Sequence, residues 1–267
     1  MSNALIKIMD IKCFESLFAR LDDLKECAVR GNVGISAFFS PREEYAAIQY
    51  LKNKKIDFLL FGGYSNAERK KIYILPDYIE NTENIDVIID YGFSAEIDCV
   101  KISGSGFVEL SHRAVMGSLL GLGIERDVIG DIVMIDNSHA VFFCDSQLTR
   151  FFVENLERVG RDKVKVEHIQ LDESILPERK FLTVNDTVAS ARLDCVVSAL
   201  CSVSRERAKE LLKESLVELN YECVERPDRE VVTPATISVR GYGKFMVSAL
   251  SDKTKKGRFK LVAKKFL

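Results

Sequence analysis

The 267-residue sequence contains no long apolar run. Lys, Arg, Asp or Glu interrupts every stretch before it reaches the roughly 18 residues a membrane helix requires, so no membrane partner is expected. The first residues, Met1-Ser2-Asn3-Ala4-Leu5-Ile6-Lys7, lack the basic segment, apolar segment and small-residue cleavage site of a secretion signal. The seven cysteines (Cys13, Cys27, Cys99, Cys144, Cys195, Cys201 and Cys223) form no C-x-x-C pair, which argues against a disulfide framework or a zinc site and predicts reduced, buried thiols. Histidine is scarce: His112, His139 and His168 are too dispersed for a metal-binding H-x-x-x-H pair. Ser111 and His112 are adjacent, so on a helix they point about 100° apart, and no nucleophile, base and orienting group fall into a recognisable order. Gly62-Gly63 lacks the Gly-Lys-Ser/Thr ending of a phosphate loop, and Gly104-Ser105-Gly106 is a lone G-x-G. Both read as turns, although the paired glycines also suit close approach of a ligand to the backbone. These absences predict a cytoplasmic chain with no catalytic residues, no metal and no cofactor.

What is present is an ordinary globular composition, 47% apolar and 29% charged, in a chain long enough for two or three cores. The net charge of −2 hides a segregation. Residues 179–267 carry 18 Lys and Arg against 11 Asp and Glu, whereas residues 1–178 carry 20 against 29. A basic end on an acidic body is the pattern of a polyanion binder.

Periodicity divides the chain into three parts. In residues 1–82, Leu17, Phe18, Leu21, Leu24 and Cys27/Ala28 recur at helical spacing and predict a helix over about 10–29. Ser40-Pro41-Arg42-Glu43 is a helix start, with Ser40 as cap, Pro41 in the first turn and Glu43 completing a capping box. That helix is expected to end near Lys54 and to bury Tyr45, Ile48 and Tyr50 or Leu51. Strands follow at 58–61 and 72–75. Residues 83–176 predict strand 97–103, helix 111–122, strands 131–136 and 139–144, helix 147–158 and strand 164–169, with a further strand at Ile85–Tyr91. That βαββαβ order is shared by ferredoxin-like and RNA-recognition domains. Such a domain would offer Phe142 or Phe143 on its open sheet face for base stacking, although the basic-Gly-aromatic signature is missing. In residues 180–267, Leu193, Val196, Val197 and Leu200 line one helix face, and Ala208, Leu211 and Leu212 the core side of a second helix. On that second helix Arg205, Lys209 and Lys213 form a basic row at i, i+4 and i+8. Ion pairs from Glu206 to Lys209 and from Glu210 to Lys213 would give the row a purely solvated role. Arg205 and Lys209 read as surface positions whose loss should cost within about 0.5 kcal/mol of stability. Strands at 217–220 and 237–245 follow, the second turning at its glycines. A last hairpin brackets Lys253, Lys255, Lys256 and Arg258.

Arg192-Leu193-Asp194, Ser204-Arg205 with Ala208 and Leu211-Leu212, Val217-x-Leu219-Asn220 and Val239-Arg240-Gly241-x-Gly243-Lys244-Phe245 together resemble the RNA-binding domain named after ribosomal small-subunit protein four, the S-four domain. Ser215 departs from the Gly usual before the Val-x-Val-Asn strand, and Pro234-Ala235 from the usual Gly-Asp. Upstream, Ser40-Pro41-Arg42-Glu43, Gly62-Gly63-Tyr64, Ala67-Glu68-Arg69, Leu110-Ser111-His112-Arg113 and Ile129-Gly130-Asp131-Ile132 resemble, in order, the YlmH-like bacterial proteins.

The resemblance implies an α+β chain with an amino-terminal α/β domain, an RNA-recognition-like middle domain and a carboxy-terminal S-four domain of two helices on a small sheet. It implies ribosomal RNA and tRNA as partners on the large ribosomal subunit, in quality control of stalled translation. The residues expected to bind RNA are Arg192, Ser204, Arg205, Lys209, Lys213, Asn220, Arg240, Gly241, Tyr242 and Lys244. Because S-four domains also accompany pseudouridine synthases and RNA methyltransferases, an RNA-modifying enzyme is the rival class. A third reading is a protein-interaction scaffold linked to cell division, meeting its partner through the acidic amino-terminal two-thirds.

Overall fold

A computed structural model describes residues 14–80, 84–178, 180–253 and 257–266, with only the backbone of 251–253. It is a mixed α+β structure, and its chain clusters into two compact units, 1–177 and 178–267.

In the first unit, α1 (Glu15–Val29) buries Leu17, Leu21 and Ala28 at the expected spacing, while Phe18 and Leu24 pack partly against the same core. The start of the expected helix, residues 10–13, lies outside the described residues. After the short strand β1 (Gly34–Ile35) comes α2 (Pro41–Lys54), and its capping box forms. The Glu43 amide donates to Ser40 Oγ at 3.3 Å, and the Ser40 amide donates to the Glu43 carboxylate at 2.8 Å. Ala47 and Leu51 are its buried residues. Tyr45 is exposed, against expectation, because it lies on the face opposite Ala47 and Leu51. Ile48 and Tyr50 are half-buried. Strands β2 (Phe58–Phe61) and β3 (Lys71–Ile74) complete an antiparallel sheet of order β1-β3-β2.

The segment expected as a strand at 85–91 is instead a single helical turn, α3 (Asp86–Asp90), with Ile88 buried and Ile89 exposed. A short apolar run does not distinguish strand from helix by periodicity. Next come β4 (Ile97–Ser103), α4 (His112–Gly121), β5 (Ile129–Met134), β6 (His139–Asp145) and α5 (Thr149–Asn155). Ser111 caps α4, accepting from the Ala114 amide at 3.2 Å. The helix expected to run to 158 stops at Asn155, and the chain turns through a hairpin of β7 (Arg158–Val159) and β8 (Asp162–Lys163) before β9 (Lys165–Ile169). The sheet order is β5-β6-β4-β9, all antiparallel. Phe142 faces the helices, in T-shaped contact with Phe152 at 5.2 Å.

Phe143 points to the other face and is buried there, which overturns the expected open platform for bases. Its ring stacks on Tyr64 at 4.9 Å and packs in one cluster with Phe38 and Ala67. Burying such side chains is worth about 1.5–3 kcal/mol each. Gly63, at φ +96°, shows why this contact needs glycine: a Cβ there would sit 2.2 Å from the Phe143 ring. Asp131 locks the joint, accepting from Tyr64 Oη at 2.8 Å and from the Glu68 and Arg69 amides at 2.6 and 3.0 Å. Arg69 donates onward to the carbonyls of Phe38 and Arg126. Lys71, almost fully buried, donates to Asp145 at 2.8 Å and to the Glu96 carbonyl at 2.9 Å. Several upstream motifs that carry the YlmH-like resemblance therefore meet at one packed seam, and the paired glycines approach an aromatic ring of this chain.

The second unit folds around α6 (Leu193–Cys201) and α7 (Arg205–Lys213). Its strands are β10 (Phe181–Val188), β11 (Val217–Leu219), β12 (Glu222–Cys223), β13 (Ala235–Val239), β14 (Gly243–Lys253) and β15 (Phe259–Phe266). They form one antiparallel sheet of order β10-β15-β14-β13-β11-β12. Leu193, Val196, Val197, Leu200, Ala208, Leu211 and Leu212 pack onto Val217, Ile237, Val239, Phe245, Val247, Leu261 and Ala263 from one side of it. Ser215, where the S-four pattern has Gly, takes the left-handed backbone that Gly favours, at φ +55°.

Candidate nucleic-acid interface

One buried carboxylate positions two of the basic residues of the second unit. Asp194, in the first turn of α6, has no solvent-accessible surface. Arg192 donates to it through Nε at 3.1 Å, and Arg205, from the start of α7, through Nε at 2.9 Å. Both guanidinium groups are a little under half exposed, so one face of each still meets solvent. Burial pushes the Asp194 carboxyl up, but hydrogen bonds from Arg192 and Arg205 and their charges outweigh it and hold the group below the ordinary carboxylate value. The two arginines are thus structural partners of Asp194 as well as candidate phosphate ligands. Arg205 is exposed, as expected, but it is also tied to a buried carboxylate.

Ser204 caps α7, its hydroxyl accepting from the Arg207 amide at 3.1 Å. Along the helix the alternative Glu206–Lys209 and Glu210–Lys213 pairs do not form. Glu210 and Glu214 are drawn to Arg207 instead, at 2.8 and 3.4 Å. Among the described residues, Lys209 and Lys213 therefore make no ion pair, with Lys213 exposed and Lys209 partly so. Arg205 also borders a shallow groove together with Arg258, which donates to Thr187 Oγ1 at 2.9 Å. Lys255 and Lys256 of the last hairpin lie outside the described residues, as does the Lys253 side chain.

The other expected site residues lie around the turns of the sheet. Asn220, at φ +51°, accepts the Thr236 amide on its Oδ1 at 2.9 Å and donates its own amide to the Thr236 carbonyl at 2.7 Å, so it shapes a turn. Arg240 is exposed; Gly241 and Gly243 follow at φ +85° and +119°, and Tyr242 packs partly against the core. Arg240 and Lys244 line one groove beside Glu218. The alternation of β14 buries Phe245 among the helices and sends Lys244 to the opposite face. The candidate residues thus fall into two groups, one at α6 and α7 and one at the β13–β14 turn, with Asn220 apart from both in the β11–β12 turn.

Comparison with known proteins adds to this geometry. Residues 93–173 match the family model described as "Putative RNA-binding domain in YlmH". The chain is 29% identical over 227 residues, 85% of each protein, to "Ribosome-associated protein quality control protein P2" of Bacillus subtilis (strain 168). These findings support a YlmH-like family. Among solved structures, "Cell division protein ylmH from Streptococcus pneumoniae" superposes with a TM-score of 0.48 at 20% identity, covering 60% of this chain and 92% of that one. The YlmH-like match begins at Phe93 and ends at Glu173, so it falls on the β4–β9 sheet and its helices.

Proposed function

We propose that this chain is a non-catalytic RNA-binding factor of the YlmH-like family. It holds structured ribosomal RNA and tRNA on the large ribosomal subunit during quality control of stalled translation. Its second unit acts as an S-four domain, with α6 and α7 presented to RNA. The observation that carries this reading is the basic row on α7, where Lys209 and Lys213 have no acidic partner among the described residues. Arg205 begins the row and shares its charge with a buried carboxylate. Arginine forks suit phosphate oxygens and lysines supply mobile point charge. The family match at 93–173 and the likeness to a ribosome-associated quality control protein support the same reading.

The test is co-sedimentation of the full chain with ribosomal subunits over a range of salt. Lys209→Ala/Lys213→Ala is expected to weaken binding and to lower the log–log salt slope by roughly one unit per lysine. Unchanged affinity and slope would reduce the row to a solvated helix face. Formation of pseudouridine, or methyl transfer from S-adenosylmethionine to ribosomal RNA or tRNA, would overturn the non-catalytic part.

A further inference from the structure

The face of the carboxy-terminal sheet turned away from α6 and α7 bears aromatic and basic side chains that the reading above does not use. On β15, Leu261 and Ala263 point into the helix-packed core, so Lys260, Val262, Lys264 and Phe266 point the other way. The register sets Phe181 of β10 opposite Phe266, Thr183 opposite Lys264, and Met246 of β14 on the other flank of Lys264. Lys244 lies two positions from Met246 along the same face, which puts it about 7–8 Å diagonally from Lys264.

The side chains form one continuous surface. Phe181 and Phe266 meet edge to face at 5.1 Å. Lys264 Nζ lies 5.6 Å from the Phe181 centroid, and Lys244 Nζ lies 5.1 Å from Phe266 and 5.4 Å from Tyr221. Lys260, Lys264, Met246 and Phe181 are exposed. Among the described outward positions of β11, β13, β14 and β15, Glu218 is the acidic residue.

We propose that this face is a second RNA-binding platform, specific for an unpaired strand whose bases stack on Phe181 and Phe266 while Lys244, Lys260 and Lys264 hold its phosphates. Aromatic rings on a sheet, here the exposed Phe181 and the half-buried Phe266, interleaved with lysines, are the combination that receives unpaired bases, because every base has a flat face and every linkage a negative charge. Duplex RNA shows only its backbone and groove edges and gains nothing from the rings. This inference goes beyond the proposed function and does not require the ribosomal reading.

The test uses the full chain and a fluorescently labelled mixed-sequence RNA ten nucleotides long, with a fully paired hairpin as comparison. Phe181→Ala/Lys264→Gln should weaken binding of the single strand about tenfold or more, in keeping with the usual effect of removing one stacked aromatic, and should leave the hairpin unaffected. The protein contains no tryptophan, so Phe181→Trp supplies a lone reporter whose emission should be quenched when a base stacks on it. A thermal melt checks each variant, and Lys264→Gln alone leaves the packing untouched should the Phe181 change loosen β10. Absence of single-strand binding by the parent, unchanged affinity in the variants, or an unquenched Trp would overturn the platform. An equal loss from Lys213→Gln would place the strand on α7 and overturn it too. Loss of subunit binding by the sheet variants without any oligonucleotide binding would mean that the face meets a ribosomal protein. The Lys209→Ala/Lys213→Ala experiment stands apart and judges the ribosomal reading alone.

Discussion

Asp194 shows how one residue can decide both stability and presentation. Its carboxylate is fully buried, and Arg192 and Arg205 meet on it from either side of α6. Removing one partner of a buried charge strands the other, at a cost of about 1–3 kcal/mol or more. Arg205→Ala is therefore expected to lower stability in a denaturant melt, Arg192 still offsetting part of the loss. Loss of RNA binding in that variant has to be read beside its melt, whereas Lys209→Ala and Lys213→Ala carry no such burden. The linkage has a definite sign. Because the folded state holds the Asp194 carboxyl below its ordinary value of 3.8, its contribution is complete above that pH and drains away as pH falls towards the folded value. The stability gap between the parent and Asp194→Asn should be constant at neutral pH and narrow below about pH 4. A gap that widens in acid would contradict this. Sequence could place Asp194 beside Arg192, but only the packing of α6 on α7 reveals Arg205 as the second partner. The same limit applies to the cysteines: Cys99 and Cys144 are buried, their thiols pushed up to about 12 by burial, while Cys27 and Cys223 are exposed against expectation.

At the scale of elements, what could be read from sequence was whatever local chemistry determines. The capping box at Ser40, the cap at Ser111 and the bounds of β4 and β6 follow from signals a few residues long. The misses have a tertiary cause. Alternation along β6 shows that Phe142 and Phe143 face opposite ways, yet it does not show that Tyr64 and Phe38 cover the second face. The seam gives a direct prediction. Gly63→Ala would place a methyl 2.2 Å from the Phe143 ring at a φ of +96°. The expected cost is about 2–3 kcal/mol, from overpacking together with a backbone region that L residues avoid. Differential scanning calorimetry should show the melting temperature falling. A variant as stable as the parent would mean that the paired glycines face open space, and the ligand reading of that turn would return.

Across the whole molecule, charge is distributed by unit rather than averaged: residues 178–267 carry 18 Lys and Arg against 12 acids, and residues 1–177 carry 20 against 28. That segregation was plain in the sequence, as was the basic row on α7. The second face of the sheet was not, because Phe181, Lys244 and Phe266 come together only through the pairing of β10, β15 and β14. If RNA affinity resides in the basic unit, charge reversal elsewhere should act only through the long-range field, which about 0.15 M salt screens beyond some 8 Å. Asp90 and Glu157 are exposed acids of the first unit and suit this comparison. Asp90→Lys/Glu157→Lys is expected to change subunit affinity by less than Lys209→Ala/Lys213→Ala does, and in the opposite sense, with the difference fading as salt rises. The two lysine losses instead remove phosphate contacts and should lower the salt slope itself. Sedimentation at several salt concentrations separates these outcomes. A loss of binding on adding positive charge at Asp90 and Glu157 would show that the acidic unit meets a basic partner. The scaffold reading would then gain over one in which RNA alone holds the chain.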